Sequence, residues 1–126
     1  MNGVFDIIGP IMVGPSSSHT AGAVRLGLAA RAIVGGRPSR AALALHGSFA
    51  QTYRGHGTDV ALIAGILGMR PDDERIPDSF HVAREQGMEF TFSRADLGDV
   101  HPNSVLMELT GPDGSQTTVG GSSVGG

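Results

Sequence analysis

The apolar positions of this chain fall into eight short segments separated by glycine, proline and polar clusters. Val4 to Val13 reads as a short apolar strand, broken at Pro10 and closed by Gly14-Pro15. Three serines follow. From His19 to Val34, Ala21, Val24, Leu28 and Ala32 share one side of a helical projection, and Ala23, Leu26, Ala30 and Ile33 share another. That pattern predicts a helix with few polar positions, stopped by Gly35-Gly36 and kept from resuming by Pro38. Ala41 to Phe49 predicts a buried strand leading to Gly55-His56-Gly57-Thr58-Asp59. A second helix, Thr58 to Leu67, is again apolar on most sides and ends at Gly68.

In the second half, Pro71 to Pro77 is a polar connector, and Phe80 to Gln86 is a short helix ended by Gly87. Met88 to Phe92 and Val105 to Leu109 alternate apolar and polar residues as half-buried strands do, and Pro112-Asp113-Gly114 turns the chain into a last strand, Gln116 to Val119. The small, glycine-rich residues 120–126 read as a linker. The order β-α-β-α-α-β-β-β predicts one α/β (α+β) domain over residues 1–126, with a mixed four- to five-stranded sheet and its helices packed mainly on one face. Strand order is not encoded in this pattern. Helices apolar all round are buried ones, and a domain this small has little interior for two of them. Part of their surface is therefore expected to be covered by another chain, in a homodimer or a hetero-complex.

Composition narrows the chemistry. The 126 residues include 20 glycines and no cysteine or tryptophan, with a net charge of −3, and all nine basic residues are arginine. Without cysteine the chain has no disulfide, no thiolate nucleophile and no ligands for an iron–sulfur cluster. Without lysine it can form no Schiff base with pyridoxal phosphate and has no P-loop of the usual kind. A mildly acidic chain with scattered arginines carries no electrostatic footprint for nucleic acid. The first basic residue is Arg25, after several glycines and prolines, which does not fit a signal peptide, so the expected location is the cytoplasm. No apolar run approaches the roughly 20 residues of a membrane span. A chain of this length buries about 65% of its unfolded surface and can fold alone.

Three polar clusters are candidates for chemistry. Ser16, Ser17 and Ser18, just before His19, place hydroxyls beside the first-turn N–H groups of the first helix, where a carboxylate or phosphate is favoured. Helix capping accounts for one serine but not three. In Gly55-His56-Gly57-Thr58-Asp59, the glycines allow close approach of a ligand, Thr58 can cap the helix, and His56 stands at its mouth as a neutral base. His101-Pro102-Asn103-Ser104 is a third polar cluster, just before a strand, and by itself it reads first as a plain loop. His46 and His81 read as an ordinary strand end and a helix surface. No His-x-x-x-His spacing supports zinc.

Specific motifs go further. Val4-Phe5-Asp6-Ile7-Ile8-Gly9-Pro10, Gly14-Pro15-Ser16-Ser17-Ser18-His19-Thr20-Ala21-Gly22, Gly47-Ser48-Phe49-Ala50, Gly55-His56-Gly57-Thr58-Asp59, Asp73-Glu74-Arg75-Ile76-Pro77 and His101-Pro102-Asn103 occur in this order. Across essentially the whole chain this set resembles the beta chain of bacterial iron–sulfur L-serine dehydratases (L-serine ammonia-lyases). That beta domain is similar to the allosteric substrate-binding domain of some D-3-phosphoglycerate dehydrogenases, and the resemblance implies a fold of that kind. The family's two-chain enzymes usually continue into an ACT domain, a small regulatory fold, and this chain is expected to lack it.

The resemblance implies that L-serine loses water to give aminoacrylate, which becomes pyruvate and ammonia. It implies a [4Fe-4S] cluster held by cysteines of a partner alpha chain, no pyridoxal phosphate, and no metal ligand in this chain. By the same resemblance, Ser16, Ser17 and Ser18 bind the substrate carboxylate with Thr58 beside them. His56 or His19 is the acid/base group, and His101 and Asn103 orient the substrate or the catalytic histidine. Two other readings stand beside this one: an allosteric module that binds L-serine or another small anion without chemistry, and a purely structural partner. Histidines among the serines favour the catalytic reading, because a carboxylate sensor needs no base.

Overall fold

The computed structural model describes residues 10–13, 19–47, 57–100 and 104–123. In chain order the elements are β1 (Pro10–Val13), α1 (His19–Val34), β2 (Arg40–His46), α2 (Thr58–Ile66), a 3-10 turn (Ile76–Asp78), α3 (Ser79–Glu85), β3 (Glu89–Arg94), β4 (Ser104–Thr110) and β5 (Gln116–Ser123). The strands form one mixed five-stranded sheet in the order β1-β5-β4-β2-β3. β1 is parallel to β5 and β2 to β3, whereas β4 runs antiparallel to both β5 and β2. Four strands thus point one way and β4 the other.

Alternation along each strand separates two faces. Ala41, Leu43 and Leu45 of β2, Val105, Met107 and Leu109 of β4 and Val119 of β5 are buried in one core with Leu26, Leu62 and Ile66 of the helices. The opposite face carries Arg40, Ala42, Thr91, Glu108 and Thr118, which line a shallow concavity of about 480 Å³. The helices therefore lie on one side of the sheet, as the sequence pattern predicts.

α1 ends as expected, with Gly35 at φ 90° and the Gly35 and Gly36 N–H groups both donating to the Arg31 carbonyl. Its relation to α2 depends on two glycines. A Cβ on Gly65 would overlap the Val24 carbonyl oxygen and lie 2.8 Å from the Leu28 nitrogen, and one on Gly27 would lie 2.9 Å from the Gly65 Cα. The two backbones touch there, and no side chain fits between them.

Three expectations are corrected. Pro10 opens β1 instead of breaking a strand: β1 is an edge strand, where a residue without N–H is tolerated. Gly120 to Ser123 is not linker but the second half of β5, paired with β1 on one side and with β4 on the other. Composition misleads there because two neighbouring strands supply the hydrogen bonds that glycine propensity would not. Finally, α2 needs no second chain to cover it, since Ala61 to Ile66 are all buried within this one, between α1 and α3. Among the described residues, the large hydrophobic left exposed is Ile33 near the end of α1, at 43%. The expected strands and helices otherwise match within one to three residues. Val4 to Gly9, Ser48, Phe49 and residues 124–126 lie outside the described residues.

Candidate active site at the converging helix ends

The two long helices run parallel. A Cβ on Gly57 would sit 3.5 Å from Thr20 Oγ1, so the first turns of α1 and α2 are adjacent. At the other end, Arg31 Nη1 of α1 donates to the Ile66 carbonyl of α2 at 3.1 Å, closing the C-terminus of α2 with a cation. The direction relative to the sheet is fixed as well. A Cβ on Gly111 would contact Val34 Cγ1 at 3.6 Å, which places the end of α1 beyond Thr110 of β4. Both N-termini therefore point toward the opposite end of the sheet, where β2 ends at His46, β4 begins at Ser104 and β5 ends at Ser123.

At that end, parallel helix dipoles add. α1 has no acidic residue in its first turn, so its positive end is uncompensated by its own side chains. α2 carries Asp59 there, whose Oδ1 accepts the Val60 N–H at 2.8 Å. An anion is thus favoured most at the start of α1.

Thr58 departs from its expected role. The N-cap of α2 is Gly57, at φ 84° and ψ 0°, and no side chain caps the helix. Thr58 is the first helical residue, and from inside the helix its hydroxyl is not set to cap it. The side chain is fully buried, yet Oγ1 has no hydrogen-bond partner among the described residues. A buried hydroxyl without a partner costs about 1–3 kcal/mol, so its presence at the helix mouth calls for something it can bind.

A polar row crosses the sheet at the same end. His46 of β2 pairs with Ser104 of β4, which pairs with Ser122 of β5. Ser104 and Ser122 are 0% and 4% exposed, and their hydroxyls are 2.7 Å apart. His46 Nδ1 accepts the Leu97 N–H at 3.0 Å. That bond makes Nδ1 a lone-pair acceptor, so the 3.9 Å approach of Asp96 Oδ1 is not an ion pair to it; Asp96 Oδ1 instead accepts the Gly98 N–H at 2.9 Å. His46 is therefore more than the ordinary strand end that the sequence suggested. A strand-end histidine in register with a serine pair is not recognisable before strand order is known. His81 is the surface residue expected, in contact with Glu85 one turn on along α3.

Of the sequence candidates, the structure places Thr58 at this helix mouth, and His19 opens α1. Ser16, Ser17, Ser18, His56, His101 and Asn103 lie outside the described residues. Their chain neighbours do not: Val13, His19, Gly57 and Ser104 are the residues from which those segments run. Thr58 does not line the concavity on the helix-free face. Among the described residues no three His, Asp or Glu side chains gather to hold a metal, and no helix is long and apolar enough to cross a membrane.

Residues 3–86, two thirds of the chain, match the family model described as serine dehydratase beta chain. The chain belongs to the serine dehydratase beta chain family. It is 51% identical over 123 residues to the "L-serine dehydratase, beta chain" of Peptoniphilus asaccharolyticus, covering 97% of this chain and 55% of that protein. It is 47% identical over 123 residues to the "probable L-serine dehydratase, beta chain" of Bacillus subtilis (strain 168), covering 98% and 56%. "L-serine dehydratase 2" of Escherichia coli (strain K12) is 41% identical over 78 residues, 57% of this chain and 17% of that protein. The chain thus spans about half the length of the beta chains it matches. The family match reaches across α1, α2 and their junction, so the helix mouth is built from family sequence.

Proposed function

We propose that this chain is the beta subunit of an L-serine dehydratase and works with an alpha chain to convert L-serine to pyruvate and ammonia in the cytoplasm. The observation that carries the reading is the buried, unpartnered Thr58 hydroxyl at the mouth of two parallel helices. A small zwitterion with a carboxylate and a hydroxyl suits such a place: dipoles favour the anion and a buried hydroxyl offers a hydrogen bond.

The [4Fe-4S] cluster of the family does not fit this chain, which has no cysteine. The alpha chain would carry it, and the residues here have other tasks. Ser16, Ser17 and Ser18, with the first N–H groups of α1, hold the carboxylate. Thr58 hydrogen-bonds the bound molecule. His56 or His19 takes the α-proton, and His101 and Asn103 orient the substrate or that base. Loss of the α-proton and the β-hydroxyl as water gives aminoacrylate, whose tautomer hydrolyses to pyruvate and ammonium. Any homodimer would bury what apolar surface α1 leaves open near Ala32 and Ile33.

Replacement of Thr58 by Val tests the reading in the assembled enzyme. The Michaelis constant for L-serine should rise about tenfold, the worth of one hydrogen bond to a charged ligand, with the melting temperature of the chain preserved. An unchanged Michaelis constant and kcat would remove Thr58 from the site.

A further inference from the structure

We propose that the concavity on the helix-free face of the sheet binds a small polar α-amino acid as its zwitterion. The place is separate from the helix mouth: it lies on the other face of the sheet, and Ala42 within it is about 13 Å along β2 from His46. Nothing in the dehydratase reading uses it. Strand register builds it from two neighbouring rows. Thr91 of β3, Ala42 of β2, Glu108 of β4 and Thr118 of β5 stand side by side in one row. In the next row Arg40 stands between Glu89 and Thr110.

Ala42 has the smallest side chain in these rows, and it is half-buried where Thr91 and Glu108 on either side are exposed. Its methyl group is therefore the floor, and the flanking side chains are the walls, of a cavity of about 480 Å³. That volume falls within the range of small-molecule clefts, about 300–1,000 Å³. Two charges of opposite sign line it without pairing with each other. Arg40 and Glu108 are diagonal neighbours on β2 and β4, about 7–8 Å apart at the backbone, and both side chains are long enough to reach over Ala42. Arg40 Nε lies 3.8 Å from Glu89 Oε2, beyond hydrogen-bond length, with both side chains mostly exposed, so its N–H donors are available. Among the described residues Glu108 makes no ion pair.

A molecule that satisfies both charges carries an anion and a cation a few bonds apart. The guanidinium fork takes a carboxylate through two parallel N–H donors, and the Glu108 carboxylate accepts from an ammonium group. Thr91 and Thr118 offer hydroxyls to a polar side chain from the two ends of the row, held by stiff β-branched rotamers. Glu108 disfavours phosphates and other polyanions, and among the described residues no aromatic side chain lines the cavity for a planar ring to stack on. An amino acid with a hydroxyl or amide side chain meets each of these conditions.

L-Threonine is the probe, with lactate and ethanolamine as controls that each lack one charged group. In amide NMR spectra of the full chain, L-threonine should shift the signals of Ala42, Thr91, Glu108 and Thr118 saturably, with a Kd of about 1 mM. Lactate and ethanolamine should bind more weakly by about tenfold or more, and Arg40→Gln and Glu108→Gln should each weaken L-threonine binding by about tenfold. Ala42→Leu fills the floor while keeping both charges, and should abolish the shifts in a chain whose spectrum is otherwise that of the folded protein. Absence of saturable shifts at these amides, equal binding of lactate or ethanolamine, or full binding by Ala42→Leu would each overturn the proposal and leave the dehydratase reading intact. Shifts confined to Gly57, Thr58 and their neighbours would also overturn it, and would support the helix mouth as the place where an amino acid binds.

Discussion

Under the proposed function, Thr58 is the residue at which stability and function pull in opposite directions. Its buried hydroxyl has no partner among the described residues, so folding is penalised by it and removal should cost nothing. Thr58→Val is expected to match or exceed wild type in thermal stability, by up to about 1 kcal/mol, while impairing the use of L-serine. A clear fall in the melting temperature would mean that the hydroxyl is satisfied in the folded chain. Asp73 offers a second test at this scale. The Arg75 guanidinium and backbone N–H both donate to its carboxylate and hold its pKa at about 2. Because the folded value is depressed below the ordinary 3.8, the contribution is present above that pH and is lost as the pH falls toward 2. Carboxyl titration by NMR should show Asp73 near pH 2 in wild type and raised toward the ordinary value in Arg75→Ala, though still below it because the backbone N–H of residue 75 remains.

Between elements, the packing of α1 on α2 is the most demanding contact. Gly27 and Gly65 meet backbone to backbone, so neither neighbour can rotate away from an added methyl. Gly65→Ala should destabilise the chain by about 3 kcal/mol or more, through forced separation of the helices. Gly114→Ala makes the comparison: φ is 86° there, but nothing lies within 4 Å, so the cost should be about 1 kcal/mol from the backbone alone. Equal melting temperatures for the two variants would contradict the close crossing. The elements themselves were legible in the sequence because periodicity and stop signals agreed, as at His19–Val34 with Gly35-Gly36 after it. Gly120 to Ser123 was not, because its strand depends on neighbours far along the chain. That this chain alone covers α2 was missed for a related reason: small residues at Gly27 and Gly65 let one helix cover another more closely than side-chain volumes suggest. Thr58, a further disagreement, is the first helical residue and follows the cap at Gly57, so the expected cap has a hydroxyl without a partner among the described residues.

At the scale of the whole molecule, a sheet whose order is β1-β5-β4-β2-β3 brings segments distant in sequence to one end. The chain leaves β1 for α1 there, leaves β2 for α2 there, and enters β4 there. The sequence named the residues of these three segments but could not show that they share an end, since that follows from β4 running against its neighbours. In the proposed reading, parallel helices with their positive ends at this place and a chain without cysteine would divide the work, this subunit binding and orienting while a partner carries the cluster. The direct test is anaerobic formation of pyruvate from L-serine by this chain alone, by the cluster-bearing alpha chain alone, and by the two mixed. The account predicts activity in the mixture only, and its loss when His56 is replaced by Ala in a chain that still folds. Full activity of the alpha chain alone would contradict it and leave this domain as a binder of small anions that takes no part in the chemistry.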